Sequence, residues 1–353
     1  MTVYICAALL AIVFSSVSKI KIEDNVFKLN GIAILVSFLS LWIISGLRYD
    51  VGQDYFFTYV PIFNSVKNTG TYPNVEKGYI LLNKITLFFT KDYVGIFLIT
   101  SFIFCFFIYL AIYQQSKKPW LSIFIFITST LYFISMNLVR QSITIAIFFY
   151  SIKYIVDRNF KKYLFFILIA SSIHQTALIF IPVYFIVNFK ISFKRFLILY
   201  VGLEVLVPLF KGVIYNFIST TKYAYYIGSI YDNSETTIVA PLISLVIVLI
   251  GYYYLNKDTN IQDRYYRVYL NIQILATLIS TALGVFPLSL RIFVDFEYIQ
   301  LLFIPSIVSR EKNKFYKTSL LIGIILCYSF YCYYTIGILG GSKNIPYRTI
   351  FGR

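Results

Sequence analysis

Long apolar blocks recur along the whole chain, and each is about as long as a helix that crosses a lipid bilayer. One crossing needs roughly 20 apolar residues. We predict ten such helices, at 2–18, 30–47, 93–113, 120–137, 139–156, 196–218, 237–255, 268–284, 290–309 and 318–338. Because 59% of the residues are hydrophobic and 13% are charged, a water-soluble core has no room for these blocks. The pattern predicts an all-α polytopic transmembrane bundle, with residues 1–353 as a single integral membrane domain.

Two further apolar stretches do not fit a simple crossing. Residues 79–90 are too short to span and contain Lys84, which favours a re-entrant or interfacial helix. Residues 163–187 are long enough for one tilted helix, but basic segments flank them on both sides. Since basic flanks favour the cytoplasm, we predict a hairpin of two short helices that turns near His174. Counted as two, the hairpin brings the total to about 12 crossings.

Lysine and arginine are concentrated in loops that alternate along the chain. The predicted inner loops, at 19–29, 114–119, 153–163, 188–195, 256–267 and 310–317, hold 19 of them in 56 residues. The long outer segments, at 48–78, 219–236 and 339–353, hold 7 in 64 residues. This bias places both termini outside, together with an outer loop and interfacial helix over 48–92. It also explains the net charge of +16 as a topology signal, so nucleic acid is not an expected partner.

Several chemistries lack the residues that they need in this sequence. The four cysteines lie inside apolar blocks with no Cys-x-x-Cys pair, so neither a disulfide framework nor a zinc site is indicated. The chain has no Asp-x-Asp pair, His-x-x-x-Asp acyltransferase motif, P-loop or Gly-x-Ser-x-Gly elbow. These absences argue against metal-dependent nucleotide-sugar transfer, acyl transfer and ATP-driven transport. We therefore expect neither a cofactor nor a metal.

Charged residues cluster at the helix ends that the charge bias places outside. They are Arg48, Asp50, Asp54, Glu76, Arg140, His174, Asp232, Glu235, Arg291, Asp295 and Arg348. A polar group in hydrocarbon costs several kcal/mol unless it has partners. Charges held at the membrane boundary therefore indicate a functional site on the outer face.

The segment 48–55, RYDVGQDY, leaves the second helix with a cation, two carboxylates, two tyrosines and a glycine. One guanidinium group can bind two pyrophosphate oxygens at once, the face of a tyrosine ring suits a sugar ring, and a carboxylate can accept a hydroxyl proton. Arg48 is thus a candidate for binding pyrophosphate, Tyr49 and Tyr55 for binding sugar, and Asp54 for catalysis. The alternative is that Arg48 extends to the membrane interface and that Asp54 either caps a helix or pairs with Arg48.

Two more candidates lie at the ends of later helices. Arg140 and Gln141 open the block 139–156 almost without a loop, which holds the arginine at the membrane boundary. His174 is the only histidine in the chain and lies at the apex of the predicted hairpin. An interfacial anchor is the alternative for Arg140, and a hydrogen-bonded structural group is the alternative for His174.

The last candidates lie near the end of the chain. Arg291 and Asp295 are four residues apart and share one face of a helix, so either they pair with each other or Arg291 binds phosphate. Tyr347 and Arg348 belong to the closing segment KNIPYRTIFGR. This segment either folds over the site or frays.

Taken in order, these pieces resemble the EpsG family of Wzy-type polysaccharide polymerases. The resemblance rests on RYDVGQDY at 48–55, the step from Glu76 to Gly78, LVRQSITIA at 138–146, SSIHQTALIFIP at 171–182, Arg291 and the closing IPYRTIF. It implies a multi-pass enzyme of the bacterial inner membrane. Such an enzyme polymerises undecaprenyl-pyrophosphate-linked oligosaccharide repeat units on the outer leaflet, for O-antigen, capsule or exopolysaccharide, with a chain-length regulator as a further partner.

The resemblance also suggests a role for each candidate. Arg140, Arg291 and Arg48 would hold the departing pyrophosphate, and His174 or Asp54 would accept the proton of the attacking sugar hydroxyl. The residues expected to contact sugar are Tyr49, Tyr55, Glu76, Gln141, Tyr347 and Arg348. This transfer needs neither a metal nor ATP.

Two other functions remain as alternatives at this stage. A transporter or flippase of a lipid-linked sugar or small anion would also have many crossings, broken helices and internal arginines. Against it stands the one-sided distribution of charge, because a carrier exposes its binding groups to both faces. A sugar O-acetyltransferase would need basic and histidine chemistry facing a cytoplasmic acyl donor, and that pattern is missing.

Overall fold

Helices account for nearly all of the secondary structure in this computed structural model, which describes residues 1–353 except 24–25, 222–223, 225–226, 228–238, 258–262, 284–288 and 353. The described residues form sixteen α-helices: α1 Thr2–Ser16, α2 Gly31–Gly46, α3 Val60–Thr69, α4 Lys77–Phe89, α5 Val94–Gln115, α6 Pro119–Thr128, α7 Leu131–Ser135, α8 Val139–Val156, α9 Phe160–Ile173, α10 Val183–Ile186, α11 Phe193–Ser219, α12 Val239–Lys257, α13 Arg264–Leu283, α14 Ser289–Glu297, α15 Gln300–Arg310 and α16 Lys314–Cys332. Residues Tyr55–Tyr59 and Tyr333–Ile338 are π-helical, and Gln175–Phe180, Gly341–Lys343 and Ile350–Gly352 form 3-10 helices.

The prediction of a helical membrane protein is confirmed. Within the described chain, three helices are long and apolar enough to cross a bilayer: Val94–Gln115, Phe193–Val213 and Lys314–Ile338. At 1.5 Å per residue, the 22 residues of the first span about 33 Å, which matches the hydrocarbon thickness. Several shorter apolar helices accompany them. The total of about 12 crossings stays a prediction.

Three predicted segments have a different local structure. The block 120–137 forms two helices, because Thr130 adopts a left-handed conformation with φ of 70° that interrupts the helical hydrogen bonds. The block 290–309 is also divided, at a turn after Glu297. The predicted inner loop 19–29 contains an antiparallel hairpin of β1 Lys19–Glu23 and β2 Val26–Leu29. Its first strand, KIKIE, alternates polar and apolar residues, which is the period of a strand.

The chain divides into two compact units, one of residues 1–184 and 311–353 and the other of residues 185–310. In the first unit α8 is the central helix, because every residue except Arg140, Lys153 and Tyr154 is buried. A helix that is buried on all sides in this way is surrounded by other helices. The two cations at its ends therefore mark the two ends of this unit.

Hydroxyl groups join the helices around α8. The Ser37 and Tyr109 hydroxyls lie 2.8 Å apart between α2 and α5, and those of Ser45 and Ser101 lie 2.9 Å apart. Trp42 donates from its indole nitrogen to the carbonyl of Leu98 at 3.0 Å. In hydrocarbon these polar groups have no water to bond, so their pairing fixes the two helices against each other.

The chain reverses at His174. The returning arm consists of the 3-10 helix Gln175–Phe180 and α10. The Tyr163 hydroxyl donates to the Phe180 carbonyl at 2.5 Å, and the rings of Phe160 and Tyr184 are 4.9 Å apart. These contacts hold the two arms side by side and leave His174 at the turn.

The second unit is also held together by buried polar groups. The Ser244 hydroxyl lies 2.7 Å from that of Thr277 and accepts a hydrogen bond from the Gln273 amide, which joins α12 to α13. At one end of the unit, Arg310 pairs with Asp263 at 3.1 Å. The side chain of Arg291, on α14, lies outside the described residues.

Several predicted inner loops meet at one end of the first unit. The Lys153 ammonium donates to the side chain of Gln114 at 2.7 Å, which joins 153–163 to 114–119. The Tyr113 hydroxyl donates to Ser18 at 2.9 Å, which brings the start of 19–29 to the same end. Arg140 lies at the opposite end of α8. The predicted inner loops therefore lie at one end of the first unit, and Arg140, predicted to lie on the outer face, lies at the other.

Accessibility labelling tests this arrangement. We expect a membrane-impermeant maleimide to label Lys77→Cys in intact cells and Lys117→Cys only after permeabilisation, in a background with the four native cysteines replaced by serine. Both side chains are exposed, so burial does not decide the result. Labelling of both positions in intact cells would contradict the arrangement.

Candidate active site

The Glu76 carboxylate joins three segments of the first unit. Oε2 accepts a hydrogen bond from Nη1 of Arg140 at 2.7 Å, and Oε1 lies 3.0 Å from Nδ1 of His174. Oε1 also accepts the backbone N–H of Gln175 at 3.0 Å. One side chain thus links the start of α4, the first turn of α8 and the turn after α9. This cluster of Glu76, Arg140 and His174 is the candidate active site.

Arg140 is positioned by tyrosines on one side of the cluster. Its guanidinium carbon lies 5.8 Å from the centre of the Tyr79 ring. The Tyr59 hydroxyl faces the backbone N–H groups of Val139 and Arg140 in the first turn of α8, and these groups act to lower its pKa. Tyr79 therefore packs against the side chain of Arg140, and Tyr59 lies near its backbone.

A close approach of α4 to α9 brings Glu76 to His174. A Cβ on Gly78 would lie 2.5 Å from both the carbonyl oxygen and the hydroxyl of Ser172. No real side chain is accommodated at that distance, and a backbone carbonyl cannot move away as a flexible side chain can. Only glycine fits this helix contact.

The cluster is partly accessible. The side-chain exposures are 12% for Glu76, 19% for Arg140 and 21% for His174. Burial of this degree strengthens the ion pair by excluding most of the water, yet leaves part of each cation open to a ligand.

Glu76 is ionised at neutral pH. Burial acts to raise the pKa of this carboxyl, but the hydrogen bonds from His174 and the Gln175 N–H, with the charge of Arg140, outweigh burial and lower the pKa to about 2. An ionised carboxylate only accepts hydrogen bonds. His174 therefore donates from Nδ1 to Glu76, and in the neutral ring Nε2 is the nitrogen with a free lone pair.

Asp54 borders the cluster through Tyr59. Its backbone N–H donates to the side-chain oxygen of Asn137 at 2.9 Å, just before α8 begins. Burial and then the negative charge of Asp54 raise the pKa of Tyr59 to about 12, while the charge of Arg140 acts in the opposite direction. Tyr59 thus interacts with both charged groups and remains a neutral phenol.

Arg48 is only 1% exposed. Its guanidinium donates to the Ser45 carbonyl, to the Met136 carbonyl at 3.1 Å and to the Ser101 hydroxyl at 3.3 Å, and it lies 4.7 Å from the centre of the Phe97 ring. These contacts join the second helix to the connection between α7 and α8. Arg48 therefore supports the segment that leads to Arg140.

The two predicted sugar-binding tyrosines of this segment differ in exposure. Tyr55 is completely buried, stacks on Phe97 at 4.1 Å and donates its hydroxyl to the Arg48 carbonyl at 3.2 Å. Tyr49 is half-buried and packs edge-to-face on Tyr55 and Phe56. Only Tyr49 of the pair keeps surface for a ligand.

The closing segment packs beside residues 47–52. The Tyr49 N–H donates to the Arg348 carbonyl at 2.9 Å, and the Tyr347 hydroxyl donates to the Ile44 carbonyl at 3.0 Å. Arg348 is 60% exposed and pairs with Asp50 at 3.3 Å. The segment is therefore folded onto the loop in the structure.

The remaining candidates are Gln141, Asp295, Arg291, Asp232 and Glu235. Gln141 is 8% exposed on α8, next to Arg140. Asp295 is 3% exposed on α14, and the side chain of Arg291 lies outside the described residues. Asp232 and Glu235 also lie outside them. The roles predicted for these residues stay predictions.

Sequence reasoning missed the residues that support the cluster: Tyr59, Tyr79, Asn137 and Ser172. The sugar-binding role assigned to Glu76 stays a prediction, and the structure adds that its carboxylate lies between a cation and an imidazole. The sequence gives only a weak indication of these contacts: Glu76 lies at the start of a helix, two residues before Gly78. Within the described chain, no group of three His, Cys, Asp or Glu side chains is close enough to hold a metal ion.

Comparison with known families identifies the family of this chain. The model of the EpsG family matches residues 31–349, which cover most of the chain. The chain belongs to the EpsG family. Members are Wzy-type polysaccharide polymerase-like proteins, so the family indicates a membrane protein of polysaccharide biosynthesis with glycosyltransferase-like activity. No curated protein and no solved structure matches the chain.

The EpsG match spans every member of the cluster. Glu76, Arg140 and His174 lie within 31–349, as do the second helix and most of the closing segment. The second unit, residues 185–310, lies within the match as well. The family assignment therefore concerns the whole architecture and not one unit.

Gly78→Ala tests the close approach of α4 and α9. We expect loss of activity and a lower unfolding temperature, because the new Cβ forces α4 away from Ser172 and separates Glu76 from His174. The matched control is Gly323→Ala in α16, where nothing lies within 4 Å of the added Cβ. Equal thermal stability and activity of both variants would show that the contact is not needed.

The ionised state of Glu76 predicts a pH dependence. Because folding lowers the pKa of Glu76 from its ordinary 4.5 to about 2, the charge stabilises the fold above pH 4.5, and this stabilisation is lost as the pH falls toward 2. We expect Glu76→Gln to lower the unfolding temperature at pH 7 and the difference from wild type to shrink at pH 3. A difference that stays constant with pH would contradict the assignment.

Proposed function

We propose that this protein polymerises lipid-linked oligosaccharide repeat units on the outer leaflet of the bacterial inner membrane. The growing glycan on undecaprenyl pyrophosphate is transferred to the non-reducing end of a new lipid-linked unit. Membership of the EpsG family supports the reaction class. The observation that supports the mechanism is the Glu76 carboxylate between Arg140 and His174.

His174 is the proposed base. Glu76 accepts a hydrogen bond from Nδ1–H, which leaves the lone pair on Nε2 to take the proton of the attacking sugar hydroxyl. The hydroxyl oxygen then bonds to the anomeric carbon while the bond from that carbon to the pyrophosphate oxygen breaks. The imidazolium that forms is stabilised by the neighbouring carboxylate. Asp54 is the alternative base.

Arg140 is the proposed pyrophosphate ligand. Glu76 occupies Nη1, and in the described part of the chain Nη2 has no protein partner. A guanidinium can hold a carboxylate with one nitrogen and a phosphate oxygen with another. Negative charge that develops on the leaving pyrophosphate is thus stabilised beside the base. Arg291, in the second unit, keeps the pyrophosphate-binding role that the family resemblance implies.

The groups proposed to contact sugar are those that keep accessible surface. Tyr49 presents part of an aromatic ring, and Arg348 presents an exposed guanidinium on the folded closing segment. Tyr55 and Tyr347 lie beneath this surface, where their hydroxyls donate to the carbonyl oxygens of Arg48 and Ile44, and Gln141 keeps its predicted sugar-binding role. Arg48 holds the loop by its contacts with carbonyl oxygens instead of holding pyrophosphate.

Reconstitution with purified protein and lipid-linked repeat units tests the roles. We expect His174→Ala to reduce turnover by about 10²- to 10⁴-fold, as loss of a general base does, and added imidazole to restore part of it. Arg140→Ala should reduce turnover by about 10²- to 10³-fold without rescue by imidazole. Glycan length on a gel and release of undecaprenyl pyrophosphate are the two readouts.

The matched control is Lys77→Ala, which removes an exposed cation next to Glu76 and should leave turnover unchanged. A full glycan ladder from His174→Ala would exclude this histidine as the base. If Asp54→Asn loses turnover and imidazole does not rescue His174→Ala, the base is Asp54. Translocation of the substrate by the wild type without any polymer would overturn the proposed function.

A further inference from the structure

Four lysines lie near the end of the first unit opposite Glu76, Arg140 and His174, where the charge of Lys19 interacts with that of Lys117 and the charge of Lys118 with that of Lys317. Lys19 follows α1, Lys117 and Lys118 lie between α5 and α6, and Lys317 is in the first turn of α16. They come from three segments that are far apart in sequence. We call them the lysine cluster.

Hydrogen bonds hold these segments together. The Tyr113 hydroxyl, near the end of α5, bonds Ser18 at 2.9 Å and Ser15 at 3.1 Å. This places the end of α1 beside the connection that carries Lys117. The Ser116 hydroxyl lies 2.7 Å from that of Ser122 and accepts the N–H of Lys118 at 3.1 Å, so the connection is folded onto α6. The cluster is therefore built on fixed backbone.

The positive charges repel one another. Burial and then the charge of Lys317 lower the pKa of Lys118, and burial and then the charge of Lys117 lower the pKa of Lys19. Among the described residues, no carboxylate lies within salt-bridge distance of Lys117, Lys118 or Lys317. An anion between Lys118 and Lys317 would relieve the repulsion of these two charges.

Two helices begin at this end. α6 starts at Pro119 and is 10 residues long, and α16 starts at Lys314 and is 19 residues long. The partial positive charge of each N-terminus adds to that of the lysines. The combined field favours a group with high negative charge density, such as a phosphate.

The surroundings indicate the source of that phosphate. Val17, beside Lys19, is 52% exposed, and Ile322, just beyond Lys317 on α16, is 52% exposed. Apolar residues exposed on membrane-spanning helices face acyl chains, while lysines at the helix ends lie at headgroup depth. A single phospholipid supplies both groups, because its phosphate lies at headgroup depth directly above its acyl chains.

We propose that the lysine cluster binds the phosphate of an anionic phospholipid headgroup in the inner leaflet. The acyl chains of this lipid lie along the exposed faces of α1 and α16. The site is distinct from the proposed active site, which lies at the other end of α8. It anchors the ends of α1, α5, α6 and α16 to one lipid.

Native mass spectrometry tests the proposal on the full-length protein released from nanodiscs of phosphatidylcholine and phosphatidylglycerol. The double variant Lys118→Gln with Lys317→Gln should bind phosphatidylglycerol about thirtyfold more weakly, because each lysine near an anionic surface contributes roughly fivefold to sixfold. Lys153→Gln with Lys162→Gln is the matched control, since it removes two cations that lie beside the Tyr154 ring at the same end. We expect the control to bind as wild type does.

Equal binding of phosphatidylglycerol by the double variant and wild type would overturn the proposal, as would an equal loss in the control. Thermal unfolding in phosphatidylcholine with inorganic phosphate distinguishes the two sources of the anion. If inorganic phosphate stabilises the protein as much as phosphatidylglycerol does, the ligand is a free anion and the proposal of a lipid ligand is overturned. If the double variant does not fold, the single variants provide the same comparison, with a loss of about fivefold each expected.

Discussion

The Glu76 carboxylate is the interaction on which the candidate active site depends. It holds a guanidinium from α8 and an imidazole from the turn after α9, residues 64 and 98 positions away in the sequence. Its hydrogen bonds outweigh the cost of burial, so the carboxylate stays ionised at the membrane boundary. The charge in turn fixes which nitrogen of His174 carries the proton. One carboxylate thus positions the guanidinium and sets the tautomer of the proposed base.

The rest of the first unit keeps these groups in place. α8 is buried along its length and presents Arg140 at one end and Lys153 at the other. Arg48 is buried under the connection to α8, where its N–H groups bond carbonyl oxygens that have no water to bond. Gly78 allows α4 to approach α9 more closely than any other residue would. Glu76 and His174 are therefore held at the ends of α4 and α9, and Arg140 in the first turn of α8.

The helical fold and part of the site follow from the sequence because they depend on local rules. Apolar blocks define helices, and the lysine and arginine bias puts Arg140 and His174 at one end before any contact is known. The role of Glu76 does not follow, since it depends on tertiary contacts between distant segments. The burial of Arg48 does not follow either, because an arginine at a helix end has the same local pattern whether it faces solvent or protein. The β-hairpin at 19–29 is not among the predicted elements, although polar and apolar residues alternate along its first strand.

Nitrogen NMR of the single histidine tests the central claim most directly. Because His174 is the only histidine in the chain, 15N-labelled histidine gives one pair of ring signals without assignment. The neutral ring should carry its proton on Nδ1 in the wild type and lose this preference in Glu76→Ala. A proton on Nε2 in the wild type, or identical spectra for the two proteins, would contradict the carboxylate–imidazole contact.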